Sequence, residues 1–557
     1  MNCPNCRQPV SSDAATCPNC SADLVEVTVG EDQGPVDIPR ARRPSWLIFG
    51  GVAAAVLAVG LTAWAVIRPA NAGSELADRF PADALFYAEI DVAELTSADS
   101  RRLVEAFAPL IEAETGEPFD FDDLIDRALE SLDSELGEFD ISFDDDIASW
   151  ATGPIAFAAL PGPEEVPDRA ALIVAGDDAD ALDAFLAKWA GFPTMDSAGT
   201  VDIGGVAFQR FTSEEGTNGL VGRDGTDFVL ATDEEAAAAL VAPPAGATLA
   251  DVAEVSAQME QLPGNAAAVF VLNGAEMTDS LAGLGMGGFG GAGMLGLATG
   301  AVNTDSVLGW TTGAVTADAR GVRVDYVTNL ADTPAPTFSD DLTEALPADT
   351  VAFFRIGSVI DQVESLANSE MFAAMAESMQ EETGVALDEI LALFSEDGGI
   401  AIWPSTDPEL PVNGALVGVA AANQKGLVDR LADLAGTMGL VATPVDDGYS
   451  FSGLITLGTR DNLTLLTTDG DLIAEAPVEP FTEGALFGRA ADLVDGDLVF
   501  AVDLEAVIDL VDGFVGVDDP EAAEMLRCLP LGVAAGGVGV SGETVKATTF
   551  LEITERC

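Results

Sequence analysis

Two short turns near the start of the chain carry the residue types best suited to grip a metal. Cys3-Pro4-Asn5-Cys6 is followed by Cys17-Pro18-Asn19-Cys20. In each Cys-x-x-Cys turn two thiolates reach one ion, and two such turns complete the closed tetrahedral shell that structural zinc prefers. A redox Cys-x-x-Cys is the alternative, but it needs a surrounding βαβ domain that residues 1–24 are too short to build. The pattern predicts structural zinc on Cys3, Cys6, Cys17 and Cys20, with the metal supplying most of that segment's folding free energy. A four-sulfur shell keeps no open position for substrate, so its expected role is structural or partner-binding.

Other chemistry is sparse. The chain has no histidine, which removes Ser-His-Asp and Cys-His catalysis and any histidine metal site. Neither a G-x-S-x-G elbow nor a Walker phosphate loop is present. Carboxylates remain, and Glu89 and Asp91 would share one face of a strand, the spacing an acid/base pair uses. A second copy of the surrounding pattern carries Arg355 and Gly357 at those places, so a solvated strand face is expected there.

The acidic run from Phe119 to Asp146 lacks the glycine and terminal Glu of an EF-hand loop. Its apolar residues from Phe121 to Leu136 follow helical spacing, which makes the acids the wet face of an amphipathic helix, with Asp144-Asp145-Asp146 a loose collector of cations. Gly285-Met286-Gly287-Gly288-Phe289-Gly290 lacks the flanking strand, helix and acid of a dinucleotide fingerprint. The segment Leu281 to Gly300 reads as a mobile apolar loop. No catalytic residue is assigned, and the expectation is a protein that is not an enzyme.

Several elements must position these groups. The uncharged run Trp46 to Ile67 has 22 residues; at about 1.5 Å per residue it makes roughly 33 Å of helix, enough to cross a hydrocarbon core of about 30 Å. Arg40, Arg42 and Arg43 precede it and Arg68 alone follows closely, so the positive-inside rule places the N-terminus in the cytoplasm and the rest outside. Ala70-Asn71-Ala72 resembles a cleavage site, but the run exceeds the usual signal core, and an uncleaved single-pass cell-membrane anchor is expected. Residues 25–45, with Gly30, Gly34, Pro35, Pro39 and Pro44, read as a flexible cytoplasmic linker, and 68–78 as a juxtamembrane one. On this division Cys528 and Cys557 lie outside, where they form either a disulfide or two free thiols.

The formal net charge is −71. Residues 68–557 hold 19 basic against 88 acidic residues, so nucleic acid is excluded as a partner: a polyanion is repelled and no basic stripe exists to hold it. Disorder is not the explanation, because 48 % of the chain is hydrophobic and falls in periodic segments. Such self-repulsion calls for cations or salt as screening partners.

The outer region repeats itself. Phe80-Pro81-Ala82-Asp83-Ala84-Leu85-Phe86-Tyr87 returns as Leu346-Pro347-Ala348-Asp349-Thr350-Val351-Ala352-Phe353, and Gly153 to Gly191 aligns without a gap to Gly398 to Gly436. Phe228–Asp233 pairs with Thr464–Asp469, Ala268–Val271 with Leu498–Ala501, and Leu308-Gly309 with Leu531-Gly532. The order strand, helix, two strands, helix and more strands predicts an α+β fold. It is expected as two homologous lobes of largely antiparallel sheet with packed helices, 79–334 and 335–557, joined to one transmembrane helix and a small zinc ribbon.

Residues 1–24 resemble the short zinc-ribbon family at the start of many bacterial membrane proteins. The Pro-Ala-Asp strand openings, the Thr-Gly motifs at Thr115-Gly116 and Thr383-Gly384, and the single N-terminal anchor resemble the bacterial family known as domain of unknown function 3352, over about residues 79–557. That likeness implies an envelope protein of unassigned activity and transfers no functional residue. The leading expectation is a non-enzymatic, membrane-anchored binding or scaffolding protein with envelope protein partners. A small-molecule or lipid carrier with a cavity between the lobes is the second, and a carboxylate-based hydrolase the third.

Overall fold

The computed structural model describes residues 76–554, apart from 92–96, much of 116–140, 163–168, 191–194, 214–217, 244–246, 275–307, 331–337, 356–379, most of 381–391, 408–409, 421, 438–439, 516–526 and 543. The first half of this region contributes β1 (Phe86–Ile90), β2 (Ala151–Leu160), β3 (Arg169–Gly176), β4 (Met195–Ile203), β5 (Val206–Ser213), β6 (Asn218–Asp224), β7 (Asp227–Ala231), β8 (Ala268–Asn273), β9 (Leu308–Asp318) and β10 (Gly321–Leu330). The second half contributes β11 (Ala352–Arg355), β12 (Asp397–Pro404), β13 (Val412–Val419), β14 (Ala442–Val445), β15 (Gly448–Phe451), β16 (Ile455–Arg460), β17 (Leu463–Thr467), β18 (Asp497–Asp503), β19 (Leu531–Ser541) and β20 (Thr544–Ile553).

All twenty strands belong to one sheet. The pairings run β4-β5-β6-β7-β3-β2-β1-β8-β9-β10 through the first half and β20-β19-β18-β11-β12-β13-β17-β16-β15-β14 through the second, and each is antiparallel. The second order is the first read backwards, strand for strand. The halves are joined by β10 against β20, in register from Gly321 opposite Glu552 to Asn329 opposite Thr544.

This corrects the expected α+β packing of two lobes. The described helices are short and few beside the strands, and the repeat boundary is a ladder of backbone hydrogen bonds. The physical reason is edge closure: an unpaired edge strand exposes a row of N–H and C=O groups, and each half satisfies its inner edge on the other. Within the repeats the ungapped alignment also slips. Phe86 faces Ala159 while Ala352, its counterpart, faces Ile402, so the strands align two residues away from the Gly153–Gly398 correspondence.

Local chemistry explains the hairpins. Gly204 and Gly205, both at positive φ, turn β4 into β5 across a two-residue loop, the glycine-rich form that matches strand twist. At the β9–β10 turn, Asp318 Oδ1 accepts the Arg320 and Gly321 N–H groups, an Asx device. One face of each half carries the main core. In the first, Phe80, Tyr87, Ala158, Ile173, Val229 and Leu240 are packed together; in the second, Leu346, Phe353, Ala401, Val417, Leu465 and Phe481 occupy the corresponding ground. Burying one such side chain stabilises by about 1.5–3 kcal/mol. The first half adds an aromatic cluster on its opposite face, where Trp150 and Phe228 meet Phe185 of the helix Ala179–Trp189 with ring centroids 5.5–5.9 Å apart.

The expected membrane span and single-pass localisation are corrected as well. Among the described residues no helix is long and apolar enough to cross a membrane, and no group of three or more Cys, Asp or Glu side chains is placed to hold a metal ion. The residues the span and zinc expectations rested on, Trp46 to Ile67 and Cys3, Cys6, Cys17 and Cys20, lie outside the described residues, as do the linkers before residue 76 and the Leu281 to Gly300 segment.

Candidate functional site

The strand pairing that fuses the halves also builds a cleft. Asp318 faces Gly321 across the β9–β10 turn and Ser541 faces Thr544 across the β19–β20 turn, so Gly321 and Thr544 are equivalent, and four residues onward so are Asp325 and Thr548. Those two stand directly opposite each other. The pseudo-two-fold axis relating the repeats therefore passes through the Asp325–Thr548 pair.

Beside that axis lies a cleft of ≈ 670 Å³, walled from the first half by Arg323, Asp325 and Tyr326 and from the second by Asp495, Val540 and Lys546. Thr548 Oγ1 donates to Asp325 Oδ1 at 2.8 Å. Arg323 Nε donates to both Asp325 oxygens at 2.9 Å, and its terminal nitrogen reaches Asp495 at 2.8 Å and Thr548 Oγ1 at 3.3 Å. Burial acts to lower the Arg323 guanidinium, but the hydrogen bonds to Asp325 and Asp495 outweigh it, and its pKa is raised. Burial raises the Tyr326 phenol as well.

Two cations, Arg323 and Lys546, thus face two anions, Asp325 and Asp495, and the cleft has no net formal charge inside a strongly acidic region. Tyr326, Leu262, Pro263 and Val540 give it apolar surface, while Ser541, Thr544 and Gln261 add uncharged hydrogen-bonding groups. It is not the deep apolar pocket that a lipid carrier requires. Leu262 and Pro263, just past the helix Ala253–Met259, form a shared wall with a second cleft.

That second cleft, ≈ 290 Å³, brings Glu89, Asp91 and Glu260 to one opening. Glu89 and Asp91 are the carboxylates read from the sequence as a wet strand face, and the structure corrects this: both are buried, at 5 % and 9 % exposure. Glu89 accepts a short hydrogen bond from the Tyr87 hydroxyl and a longer one, 3.4 Å, from the Leu76 N–H. Burial, followed by the Glu89 charge, pushes the Tyr87 phenol well above its ordinary value. The sequence signal for this burial was Tyr87, two residues before Glu89 and on the same strand face.

The second copy solves the same position with opposite charge. Arg355, the counterpart of Glu89, has a side chain 4 % exposed beside Asp397 at 0 %, with Nε 3.1 Å from Oδ2. That contact is too poorly angled for a hydrogen bond. Asp397 instead accepts the Ser339 and Gly398 N–H groups at 2.8 Å, and an Arg355 terminal nitrogen donates 2.8 Å to the Ser339 carbonyl. Desolvation dominates both partners, lowering the Arg355 pKa and raising that of Asp397.

Of the other residues singled out by the sequence, Asp146 is committed to Lys188 at 2.6 Å and to the Ser142 N–H at 2.9 Å. Cys528 is disulfide-bonded; Cys557, which the sequence left open as either its partner or a free thiol, lies outside the described residues. The cleft at the repeat junction carried no sequence signal, because it exists only once β10 meets β20.

No family model matches this chain, and no curated protein matches it significantly. Among solved structures it is similar to crystal form I of TP0453, at TM-score 0.24 and 10% identity over 47% of this chain and 80% of that one. Crystal form III of TP0453 gives TM-score 0.22 and 11% identity over 46% and 80%. A likeness at this level carries no functional argument.

Proposed function

We propose that this chain is a non-enzymatic binding protein, in which two repeats form one sheet and the cleft beside their pseudo-two-fold axis takes an uncharged, hydrogen-bonding ligand or peptide segment. The observation that carries the reading is the ≈ 670 Å³ cleft lined by both halves, whose charges cancel while hydroxyl, amide and aromatic groups remain on offer. Ligand sites tend to combine apolar surface with a few placed polar groups, and to fall at domain interfaces. A charged partner gains little from a cleft whose arginine is already bound to two carboxylates. The hydrolase reading has two buried acids at one opening, but Glu89 is already engaged by Tyr87 and Leu76, whereas a general acid or base must reach substrate.

The test is a ligand-observed NMR screen of the full chain with uncharged hydroxyl- and amide-bearing fragments, repeated on Val540→Trp. Val540 is 39% exposed at the cleft wall, so the indole occupies the cleft without entering the core. Fragments that bind the parent and lose binding in the variant support the reading. Absence of binders, or binding indifferent to the indole, refutes it.

A further inference from the structure

A third cleft, ≈ 340 Å³, opens at the end of the same seam, where the helix Ala98–Glu105, the β9–β10 turn and the end of β20 converge. It presents two arginines, Arg102 and Arg320. In a chain with 23 basic and 94 acidic residues, an arginine without a carboxylate partner is unusual. Arg79, Arg169, Arg210, Arg223, Arg430 and Arg489 are all ion-paired. Neither Arg102 nor Arg320 makes an ion pair among the described residues.

The acid at this cleft does not serve them. Glu552 is held by Arg489 at 2.6 Å and accepts the Val533 N–H at 3.1 Å. Arg320 is instead oriented by uncharged groups: its guanidinium lies 5.5 Å from the Phe550 ring centroid and donates 3.5 Å to the Asp492 carbonyl, contacts that leave its charge unneutralised. A separate observation marks the same wall. Thr554 lines the cleft, and its Oγ1 is buried without a hydrogen-bond partner among the described residues, a state that costs about 1–3 kcal/mol when nothing satisfies it.

We propose that Arg102, Arg320 and Thr554 form a binding site for a small oxyanion, a phosphate or carboxylate group. Guanidinium forks match the spacing of such oxygens, and the hydroxyl supplies a third donor. The surrounding negative charge opposes polyanions and anionic surfaces, so the occupant is small and soluble. The site is separate from the junction cleft and does not depend on the function proposed for it.

The experiment titrates the full chain with inorganic phosphate and, in a parallel arm, with acetate, each against chloride at matched ionic strength. Thermal stabilisation is the readout, since a ligand that binds only the native state raises the melting temperature saturably. Saturable stabilisation by phosphate assigns a tetrahedral oxyanion, and by acetate a planar one. Losing one charge-assisted contact in Arg102→Gln or Arg320→Gln weakens binding about tenfold or more. Arg102 is solvent-exposed and makes no ion pair among the described residues, so Arg102→Gln keeps the test valid if Arg320→Gln, which loses the Phe550 contact, folds poorly. A response to neither anion beyond that to chloride overturns the site, as does an unchanged response in Arg102→Gln.

Discussion

Substituting Asp397 by alanine strands a guanidinium in the core of the second half, and the cost can be worked from its neighbours. Arg355 remains charged at any ordinary pH, with its side chain 4 % exposed and its nearest remaining compensation one 2.8 Å bond to the Ser339 carbonyl, one at 3.5 Å to the Leu498 carbonyl and the Phe338 ring. The Ser339 and Gly398 N–H groups also lose their acceptor. Breaking a buried pair from one side costs about 3–5 kcal/mol, and Asp397→Ala is expected at the upper end of that range.

Arg355→Met is milder, at about 2–3 kcal/mol by the same reasoning, because the carboxyl left behind keeps both N–H donors and can escape its charge by taking up a proton. The double variant removes the uncompensated charge altogether, so its cost falls short of the sum of the singles by about 2 kcal/mol or more. Urea denaturation of the full chain measures this, with Trp403, buried in the same core, as a fluorescent reporter on the strand that carries Asp397. The pH dependence has a definite sign. The native Asp397 pKa lies above its ordinary value because burial opposes the charge, so this group's contribution is fully present below the ordinary carboxylate range and is lost as pH rises through the raised native value. Additive single costs, or an Asp397→Ala cost under about 1 kcal/mol, would show that the pair is solvated and the reasoning wrong.

Two further outcomes follow from charge and burial. The chain has three tyrosines, and all three are shifted upward: Tyr87 and Tyr326 by burial, Tyr449 by its hydrogen bond to Asp429. Near-ultraviolet titration of the native chain therefore shows less tyrosinate just above pH ~10 than the urea-unfolded chain does, and stability declines as pH rises toward the native values; equal titration in both states would contradict this. Added sodium chloride raises the melting temperature, because going from about 0.01 M to 1 M salt shortens the screening length from about 30 Å to 3 Å around a chain of net charge −71. A melting temperature that stays flat or falls counts against self-repulsion as a significant term.

How much of this was legible in the sequence depends on the range of the interaction. The repeated Phe80-Pro81 and Leu346-Pro347 openings fall on matching places, since both Phe80 and Leu346 are fully buried and both prolines form isolated bridges, Pro81 to Thr248 and Pro347 to Pro480. Phe228–Asp233 and Thr464–Asp469 likewise fall on β7 and β17, whose Val229 and Leu465 are at 0% exposure. Each of these is a local pattern of apolar and turn residues. The partner of a strand is not local: nothing in Gly321–Leu330 names Thr544–Ile553 as its neighbour, because alternation fixes which face a residue takes and leaves the identity of the paired strand open. The two-lobe expectation failed at that point, and the junction cleft was invisible for the same reason. Glu89 was misread for a different one. Its charge suggested water, whereas the Tyr87 hydroxyl gives it a buried partner.

The same edge logic accounts for where the sheet stops. Among the described residues the ten strands of each half leave an inner and an outer edge, and only the inner edges meet. On the outer edge of the first half, β4 breaks register between Ser197 and Gly199, with Gly199 at φ 96, a bulge that interrupts the row of donors and acceptors a further strand would need. On the outer edge of the second half, β14 carries Pro444, which has no N–H to offer and is tolerated in a sheet mainly at an edge. By contrast β10 and β20 contain neither a proline nor a register break in their mutual pairing. Irregularity at the two ends and regularity at the centre mark the junction as the pairing this sequence favours, and make the cleft beside Asp325 and Thr548 a fixed consequence of the fold rather than an accident of two lobes touching.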